Sequence, residues 1–200
     1  MPVCEGCGTR SDELHVQRRA ERLALASKFR PGQVHILFLD SAPPARAEDF
    51  FYSVATDRSI RSAASRGYFD ELMKATGQAP GAERSEEAAL AEFSRKGFFL
   101  LNAVECPFED LIDPQNSLRR VAPTVIKKIQ TELNPAYVVP LSKPTQELVR
   151  LFGLVGWGDR LILDNGAPFS DPHLDDPKKQ AAAGSAYGEK IRKILSALPS

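Results

Sequence analysis

The residues of this chain with the clearest potential for chemistry are its cysteines. Cys4 and Cys7 are separated by two residues, with glycines between and after them, a spacing at which a tight turn presents two thiolates to one metal ion. A structural metal site needs four ligands, and Cys106 is the only other thiol in the sequence. His15 is a further candidate ligand, although a solvent-facing histidine on a helix is the commoner case. The alternative is that Cys4 and Cys7 are free thiols on a loose terminus.

Polar side chains also follow an apolar run that spans residues 34–39. The run is too short for a helix, is rich in β-branched and aromatic residues, and is closed by Pro43 and Pro44, so it predicts a buried strand of a parallel sheet. Ligands of open α/β sheets bind outside the carboxyl ends of such strands, where Asp40 and Ser41 stand. These two residues are therefore candidates for a ligand site. The alternative is an ordinary strand exit in which Asp40 caps a turn.

Other candidate ligand-binding residues lie near the ends of predicted elements. Asn102 is a lone amide in a second apolar run, and a buried amide must be hydrogen-bonded either by the fold or by a ligand. Phe51 and Tyr52 lie in a polar loop, where aromatic rings serve as core anchors or as a stacking platform for a planar ligand. Ser142 and Lys143 precede a predicted helix and fit either a phosphate site or plain N-capping.

The elements that position these residues alternate along the chain. Apolar runs predict four strands, with segments of helical spacing between and after them, near residues 34–39, 98–104, 137–141 and 161–164. Alternating strands and helices predict an α/β fold, a three-layer α/β/α sandwich with a central four-stranded parallel sheet. The length fits a single domain over residues 1–200, with residues 1–10 as an N-terminal cysteine-containing arm.

Composition narrows the classes of function. The 26 basic and 26 acidic residues cancel, so a strongly basic footprint is absent and any contact with nucleic acid would depend on a local patch. No G-x-G-x-x-G or P-loop motif supports a nucleotide-binding fold. The lack of a transmembrane-length apolar run and of a secretory signal, together with an odd number of cysteines, predicts a cytoplasmic protein without a membrane partner.

Four blocks of sequence, in order, resemble the uracil-DNA glycosylase superfamily and cover nearly the whole chain. Residues 36–44 resemble its first motif, a strand followed by a loop, and residues 66–72 resemble the next helix. Residues 101–107, which read L-N-A-V-E-C-P, resemble the N-x-x-x-C-x-P strand of the iron–sulfur branch, and residues 139–143 resemble the later strand and helix start. The resemblance implies a monomeric enzyme of base-excision repair, whose partner is DNA and which hydrolyses the N-glycosidic bond of uracil or another deaminated base.

The resemblance also assigns roles in base recognition. It implies that Asn102 reads the edge of a base flipped out of the DNA, and that Phe51 or Tyr52 stacks on that base. Pro43 belongs to the same loop and is expected to line the base-binding site.

For the cysteines, the resemblance implies a metal cofactor. Cys4, Cys7 and Cys106 match three of the four cysteines that hold an iron–sulfur cluster in one branch of the superfamily. No cysteine follows Cys106, where the fourth is expected. An iron–sulfur cluster with a non-cysteine ligand, a zinc ion and an empty relic of the site therefore all stay open.

The catalytic positions depart from the superfamily's pattern. Asp40 replaces a glycine, Ser41 replaces the water-activating glutamate, and Ala42 replaces an aspartate of another branch. The histidine of the late H-P-S loop is also replaced, unless His173 takes its place. Because Asp40 is the only acid at the correct strand end, we assign it to water activation or to the sugar cation, with Ser41 beside it and His173 as donor to the departing base.

Two functions of different class follow from these observations. One is a DNA glycosylase, which the amide, the aromatic residues and the acid of the predicted pocket favour. The other is a catalytically inactive member of the same fold that acts as a nucleic-acid-binding or interaction domain, which the missing glutamate, the zero net charge and the acidic late loop favour. We prefer the enzyme.

Overall fold

The computed structural model describes residues 3–54, 58–81, 84–169 and 180–198 of the chain. Within these residues the strands are β1 Ile36–Asp40, β2 Phe98–Asn102 and β3 Tyr137–Pro140. The helices are α1 Glu13–Lys28, α2 Ala63–Ala75, α3 Glu86–Arg95, α4 Pro114–Lys128, α5 Gln146–Leu154 and α6 Gln180–Ser196. None of the helices in this part of the chain combines the length and the apolar character that a membrane crossing needs.

The sheet is parallel and is buried on both sides. β1 lies between β2 and β3, and the register pairs Asp40 with Asn102 at the carboxyl end of the two strands. Leu37, Phe38 and Leu39 are fully buried. Since successive side chains of a strand point to opposite faces, both faces of the sheet are covered. The structure confirms the predicted mixed α/β fold with a parallel sheet.

The fourth predicted strand, residues 161–164, is reduced to a single bridge. Leu161 forms one parallel bridge with Val138 of β3. The segment then ends in a tight turn, because Asn165 and Gly166 both have positive φ, 52° and 82°, and an Asn-Gly pair of this kind reverses the chain. The described residues therefore form a three-stranded sheet where the sequence predicted four strands.

Capping side chains mark the starts of four helices, and a glycine allows two helices to pack closely. Four of them start after a residue whose side chain accepts a hydrogen bond from an amide of the first turn, and these N-caps are Asp12, Ser62, Ser85 and Asp113. α4 ends in a π-helical turn, Ile129–Leu133. α6 packs on α2, where Gly188 permits close approach because a Cβ at that position would lie 3.1 Å from the Glu71 backbone carbonyl oxygen.

The outer edge of β2 is closed by a side chain. The Tyr52 hydroxyl accepts a hydrogen bond from the Leu100 amide at 2.7 Å and donates one to the Leu100 carbonyl at 3.0 Å. Burial raises the pKa of Tyr52 well above its usual value, so the hydroxyl stays protonated and able to donate. Tyr52 therefore satisfies backbone groups of a buried edge strand that no other strand reaches in the described part of the chain.

We expect Tyr52→Phe to lower the free energy of unfolding by about 1–3 kcal/mol, because it leaves a buried amide and a buried carbonyl of β2 without partners. Urea denaturation measures this change. Tyr137→Phe is the matched control, since the Tyr137 hydroxyl makes no hydrogen bond with the described residues, and it should change stability little. Equal effects of the two variants would show that Tyr52 does not support the strand edge.

Candidate metal centre and candidate active site

The N-terminal arm is a tight turn closed by backbone hydrogen bonds. The Cys4 amide donates to the Thr9 carbonyl at 2.8 Å, and the Gly8 amide donates to the Cys4 carbonyl at 2.7 Å. Gly8 has φ +70°, and a Cβ there would lie 2.4 Å from the Arg120 side chain. Glycine suits this position because of the left-handed backbone, and the Arg120 side chain packs into the space that a Cβ would occupy.

Cys4, Cys7, His15 and Cys106 converge on one point. The Cys4 and Cys106 sulfurs are 3.7 Å apart, and the Cys7 sulfur is 3.6 Å from His15 Nε2. The four donor atoms all lie within 4.8 Å of one another. The predicted convergence of the three cysteines is confirmed, and these four residues are placed to bind a metal ion.

The fourth member of this cluster corrects the sequence interpretation of His15. Its side chain is only 13% exposed and faces the cysteines, whereas the sequence favoured a solvent-facing histidine. The ring lies between Cys7 on one side and Asp110, whose Oδ2 is 3.9 Å from His15 Nδ1, on the other. Asp12 caps α1 by accepting a hydrogen bond from the His15 amide at 2.8 Å, which fixes the first turn of the helix and so the position of the ring.

The arm is docked on the rest of the chain, so it is not a loose terminus. Cys4 and Cys7 are 2% and 0% exposed. The Glu105 amide donates to the Gly6 carbonyl at 3.0 Å, and the Glu105 carboxylate pairs with Arg19 at 2.6 Å. These contacts bring Cys106, the next residue along the chain, to the turn.

The electrostatics of the cluster favour a bound cation. Burial raises the pKa of Cys106, and the neighbouring Cys7 and Cys4 raise it further. Burial also acts on Cys7, but hydrogen bonds from Thr9, whose hydroxyl lies 2.9 Å from the sulfur, leave its pKa lowered. Because one thiolate opposes ionisation of the next, several thiolates in this space require a positive charge among them.

A separate cavity of about 360 Å³ opens at the carboxyl end of the sheet. It brings together seven residues singled out from the sequence, which are Asp40, Ser41, Pro43, Phe51, Asn102, Ser142 and Lys143. Tyr68 of α2 forms part of the same wall. A depression of about 410 Å³ at the amino end of the sheet, beside His35 and Arg160, contains none of the predicted residues.

Asp40 is the buried acid of this cavity, with 5% of its surface exposed. Its Oδ1 accepts a hydrogen bond from the Ser41 amide at 2.6 Å, and its Oδ2 accepts one from the Tyr68 hydroxyl at 3.1 Å. Burial raises the pKa of the Asp40 carboxyl, although donors around it, the Ser142 hydroxyl, the Ser41 amide and the Tyr68 hydroxyl, act to lower it. A carboxyl group of this kind accepts a proton more readily near neutral pH than an exposed aspartate does.

One polar side chain of the cavity wall, Asn102, has no partner in the described part of the chain. It is half-buried, lines the cavity and forms no hydrogen bond with the described residues. The Ser142 hydroxyl, by contrast, is buried beside Asp40, outside strict hydrogen-bond geometry but close enough to lower the pKa of that carboxyl. The fold therefore leaves the Asn102 amide for a ligand, which was one of the two alternatives for this residue.

Phe51 and Tyr52 have different roles in the structure. Phe51 lines the cavity and packs against Tyr68 and Phe69, with ring centroids 6.4 Å and 5.2 Å away. Tyr52 is absent from the cavity lining and closes the edge of β2 instead. Phe51 therefore contributes an aromatic ring to the cavity wall, with 4% of its surface exposed.

Sequence reasoning missed the residue that holds the aromatic loop, Arg61. Its guanidinium is fully buried, pairs with Glu86 at 3.3 Å and donates to loop carbonyls, including that of Phe50 at 3.0 Å. Arg22, also buried, donates to the Ala45 carbonyl at 3.0 Å and holds the preceding proline loop. The sequence does not show that such an arginine is buried, because its partners are backbone carbonyls, which every residue has.

The remaining predicted site residue, His173, lies outside the described residues. Comparison with known proteins gives no matching family model, no matching curated protein and no matching solved structure. The function of the two sites is therefore inferred from their own geometry. One site is a closed set of three thiols and an imidazole, and the other is a cavity that combines a buried carboxyl, an aromatic ring and an amide without a described partner.

Proposed function

We propose that this protein is a uracil-DNA glycosylase-like enzyme that hydrolyses the N-glycosidic bond of uracil or another deaminated base in DNA. One observation carries the proposal: Asp40, Asn102 and Phe51 line a single cavity at the carboxyl end of the parallel sheet. Asp40 and Asn102 are register partners on adjacent strands, so their side chains leave the same face of the sheet. Residues 161–164, of which Leu161 forms a single parallel bridge with β3, would correspond to the fourth strand of that superfamily.

The size and lining of the cavity support a single planar base as its ligand. The volume of about 360 Å³ falls at the small end of the range for ligand pockets. Phe51, which lines the cavity with 4% of its surface exposed, is the proposed stacking partner, and stacking contributes about 1–3 kcal/mol per base in nucleic-acid-binding proteins. The Asn102 amide offers a donor and an acceptor for the edge of the base, and it has no described partner that would compete with the base.

Each step of the proposed reaction is assigned to a residue. As the bond between the base and C1′ of the sugar breaks, its electron pair leaves with the base and the sugar becomes an oxocarbenium-like cation. Asp40 stabilises that cation and accepts a proton from the attacking water, whose oxygen bonds to C1′. Asn102 hydrogen-bonds the departing base, and His173 is the proposed donor of the proton that the base takes up.

Phosphate binding is proposed for Ser142 and Lys143, which flank the cavity where β3 leads into α5. The backbone turns at Lys143–Thr145 before the helix begins, with Lys143 exposed at the rim of the site and Ser142 buried in its wall beside Asp40. A lysine at the rim compensates for the zero net charge of the chain by providing a local positive contact for DNA.

The test of this function is base release from single- and double-stranded oligonucleotides that carry uracil, hypoxanthine or xanthine. We expect the purified full chain to release at least one of these bases and none from undamaged DNA. Binding to a damaged oligonucleotide without release of any base would instead support the non-catalytic alternative, a nucleic-acid-binding domain of the same fold. If the protein neither releases a base nor binds a damaged oligonucleotide, both proposals are contradicted.

Asn102→Ala is expected to lower kcat/KM for the preferred base by roughly 5- to 150-fold, which corresponds to the 1–3 kcal/mol lost when a buried polar partner is removed. The loss should be smaller for bases that present a different edge, so discrimination between bases weakens first. Asn116→Ala, which changes an exposed asparagine of α4, is the matched control. Equal kinetics for Asn102→Ala and wild type would remove Asn102 from base recognition.

A further inference from the structure

We infer that Cys4, Cys7, His15 and Cys106 bind a single zinc ion in a tetrahedral site, and not an iron–sulfur cluster. The distances between the donor atoms carry this inference. A tetrahedral ion with Zn–S bonds of about 2.3 Å and a Zn–N bond of about 2.05 Å places two sulfurs roughly 3.8 Å apart and a sulfur and a nitrogen roughly 3.6 Å apart. The observed distances are 3.7 Å for Cys4 to Cys106 and 3.6 Å for Cys7 to His15 Nε2.

The compactness of the whole set excludes a cluster at this geometry. All four donor atoms lie within 4.8 Å of one another, so they fit around one atom. In an iron–sulfur cluster the ligands are distributed over two or more iron atoms joined by bridging sulfides, so they must surround the whole cluster. Three thiolates and one imidazole are also one of the usual donor sets of structural zinc.

The surroundings of the ligands support a bound metal independently of these distances. A metal-binding histidine usually directs its other ring nitrogen to a carboxylate, and His15 Nδ1 faces Asp110 Oδ2 at 3.9 Å while Nε2 faces the cysteines. The Thr9 hydroxyl lies 2.9 Å from the Cys7 sulfur, where it can donate to a thiolate. The Thr9 contact orients the Cys7 sulfur, and Asp110 lies on the far side of the His15 ring, beyond hydrogen-bond distance.

The site is closed, which indicates a structural ion. Cys4, Cys7 and Cys106 are 2%, 0% and 1% exposed, so four protein ligands complete the coordination and leave no position for a substrate. The ion would join three parts of the chain: the N-terminal turn, the first turn of α1 and the segment that follows β2. Cys106 stands four residues after Asn102, so the ion holds one end of the segment whose other end lines the cavity.

Metal analysis of the full chain tests the identity of the ion. We expect one zinc per chain, no stoichiometric iron or acid-labile sulfide, and, after replacement of zinc by cobalt, the visible absorption of tetrahedral cobalt with thiolate ligands. Iron and sulfide in cluster amounts, or a folded chain that binds neither zinc nor cobalt, overturns the inference. These measurements do not depend on catalytic activity, so they test the zinc site separately from the proposed glycosylase activity.

Variants of His15 test the fourth ligand. His15→Ala should weaken zinc affinity by more than about a hundredfold, because loss of a ligand exceeds the 10- to 100-fold effect of losing an outer-shell partner. His15→Cys retains four ligands and should keep zinc binding, and the exposed His35→Ala, at the opposite end of the sheet, should match wild type. Wild-type affinity in His15→Ala overturns the assignment of His15. If His15→Ala does not fold, the cobalt spectrum of His15→Cys provides the test. Replacing histidine by cysteine should strengthen the thiolate charge-transfer band of the cobalt-bound protein. An unchanged spectrum in His15→Cys overturns the assignment of His15.

Discussion

Asp40→Asn is expected to lower the rate of base release by about 10²- to 10⁴-fold, the usual contribution of a positioned acid or base. The substitution removes the group that accepts the proton from water and the negative charge beside the sugar cation. It keeps the shape of the side chain, so substrate binding should change little. Single-turnover cleavage measures the chemical step, and a binding titration with the same oligonucleotide measures affinity.

The fold should tolerate this substitution, because asparagine preserves the hydrogen bonds of Asp40. Its amide oxygen still accepts from the Ser41 amide, and its NH₂ group faces the Tyr68 hydroxyl, which can accept as well as donate. Asp113→Asn, outside the cavity, is the matched control. The Asp113 carboxylate accepts a hydrogen bond from the Asn116 amide at 3.0 Å and so caps α4, a task that asparagine also performs. Activity that survives in Asp40→Asn, or falls equally in Asp113→Asn, would show that Asp40 is structural.

The raised pKa of Asp40 adds a pH dependence to the same experiment. Between the ordinary aspartate pKa of about 3.9 and the raised value in the folded protein, the folded state binds more protons than the unfolded chain. The contribution of Asp40 to the free energy of unfolding is therefore full below the ordinary pKa and is lost as the pH rises through this window. Asp40→Asn should remove this loss and should be at least as stable as wild type at neutral pH, which urea denaturation across the window can measure.

The parts of this molecule that the sequence predicts well are those with a local signal. Periodicity located the three strands, and the proline-closed run after β1 placed Asp40 at the carboxyl end of the sheet. Parallel strands share that end, so the pairing of Asp40 with Asn102 followed from topology. The cysteine spacing predicted a metal-binding turn, and the convergence with Cys106 followed from the resemblance.

What the sequence did not predict depends on contacts between distant parts of the chain. The position of His15 depends on the N-terminal turn folding back against α1, and helical periodicity gives no information on such docking. Arg61 and Glu86 are both charged, and a charged residue is exposed by default, so their burial could not be read from composition. The fourth strand was overestimated because a short apolar run does not reveal that only Leu161 bridges β3, between a helical turn at Gly158–Arg160 and the turn at Asn165.

Arg61→Met is expected to lower the free energy of unfolding by about 3–5 kcal/mol, the cost of breaking a buried ion pair by removing one partner. Both side chains of the pair are shielded from water, with 0% of Arg61 and 2% of Glu86 exposed. Methionine is long enough to fill much of the space, so the loss reports the charge and the hydrogen bonds rather than a cavity. Urea denaturation measures the change.

A second substitution separates the two parts of that loss. Arg61→Met with Glu86→Gln removes the uncompensated charge and should recover part of the stability, but the carbonyls of Phe50, Phe51 and Ser53, to which Arg61 donates, stay without that donor. Arg95→Met, which breaks an exposed ion pair with Glu92 on α3, is the control and should have little effect.

The Arg61 variant also connects stability with the candidate active site. Arg61 holds the loop that carries Phe51, so its loss should loosen the ring that stacks on the base. We therefore expect the double variant, Arg61→Met with Glu86→Gln, to show a raised KM for the damaged oligonucleotide even where it is folded, while the chemical step at Asp40 changes less. An unchanged KM in a folded double variant would show that the Phe51 loop keeps its position without Arg61, or that Phe51 does not contact the base. Phe51→Ala distinguishes these outcomes, because it should raise KM only in the first.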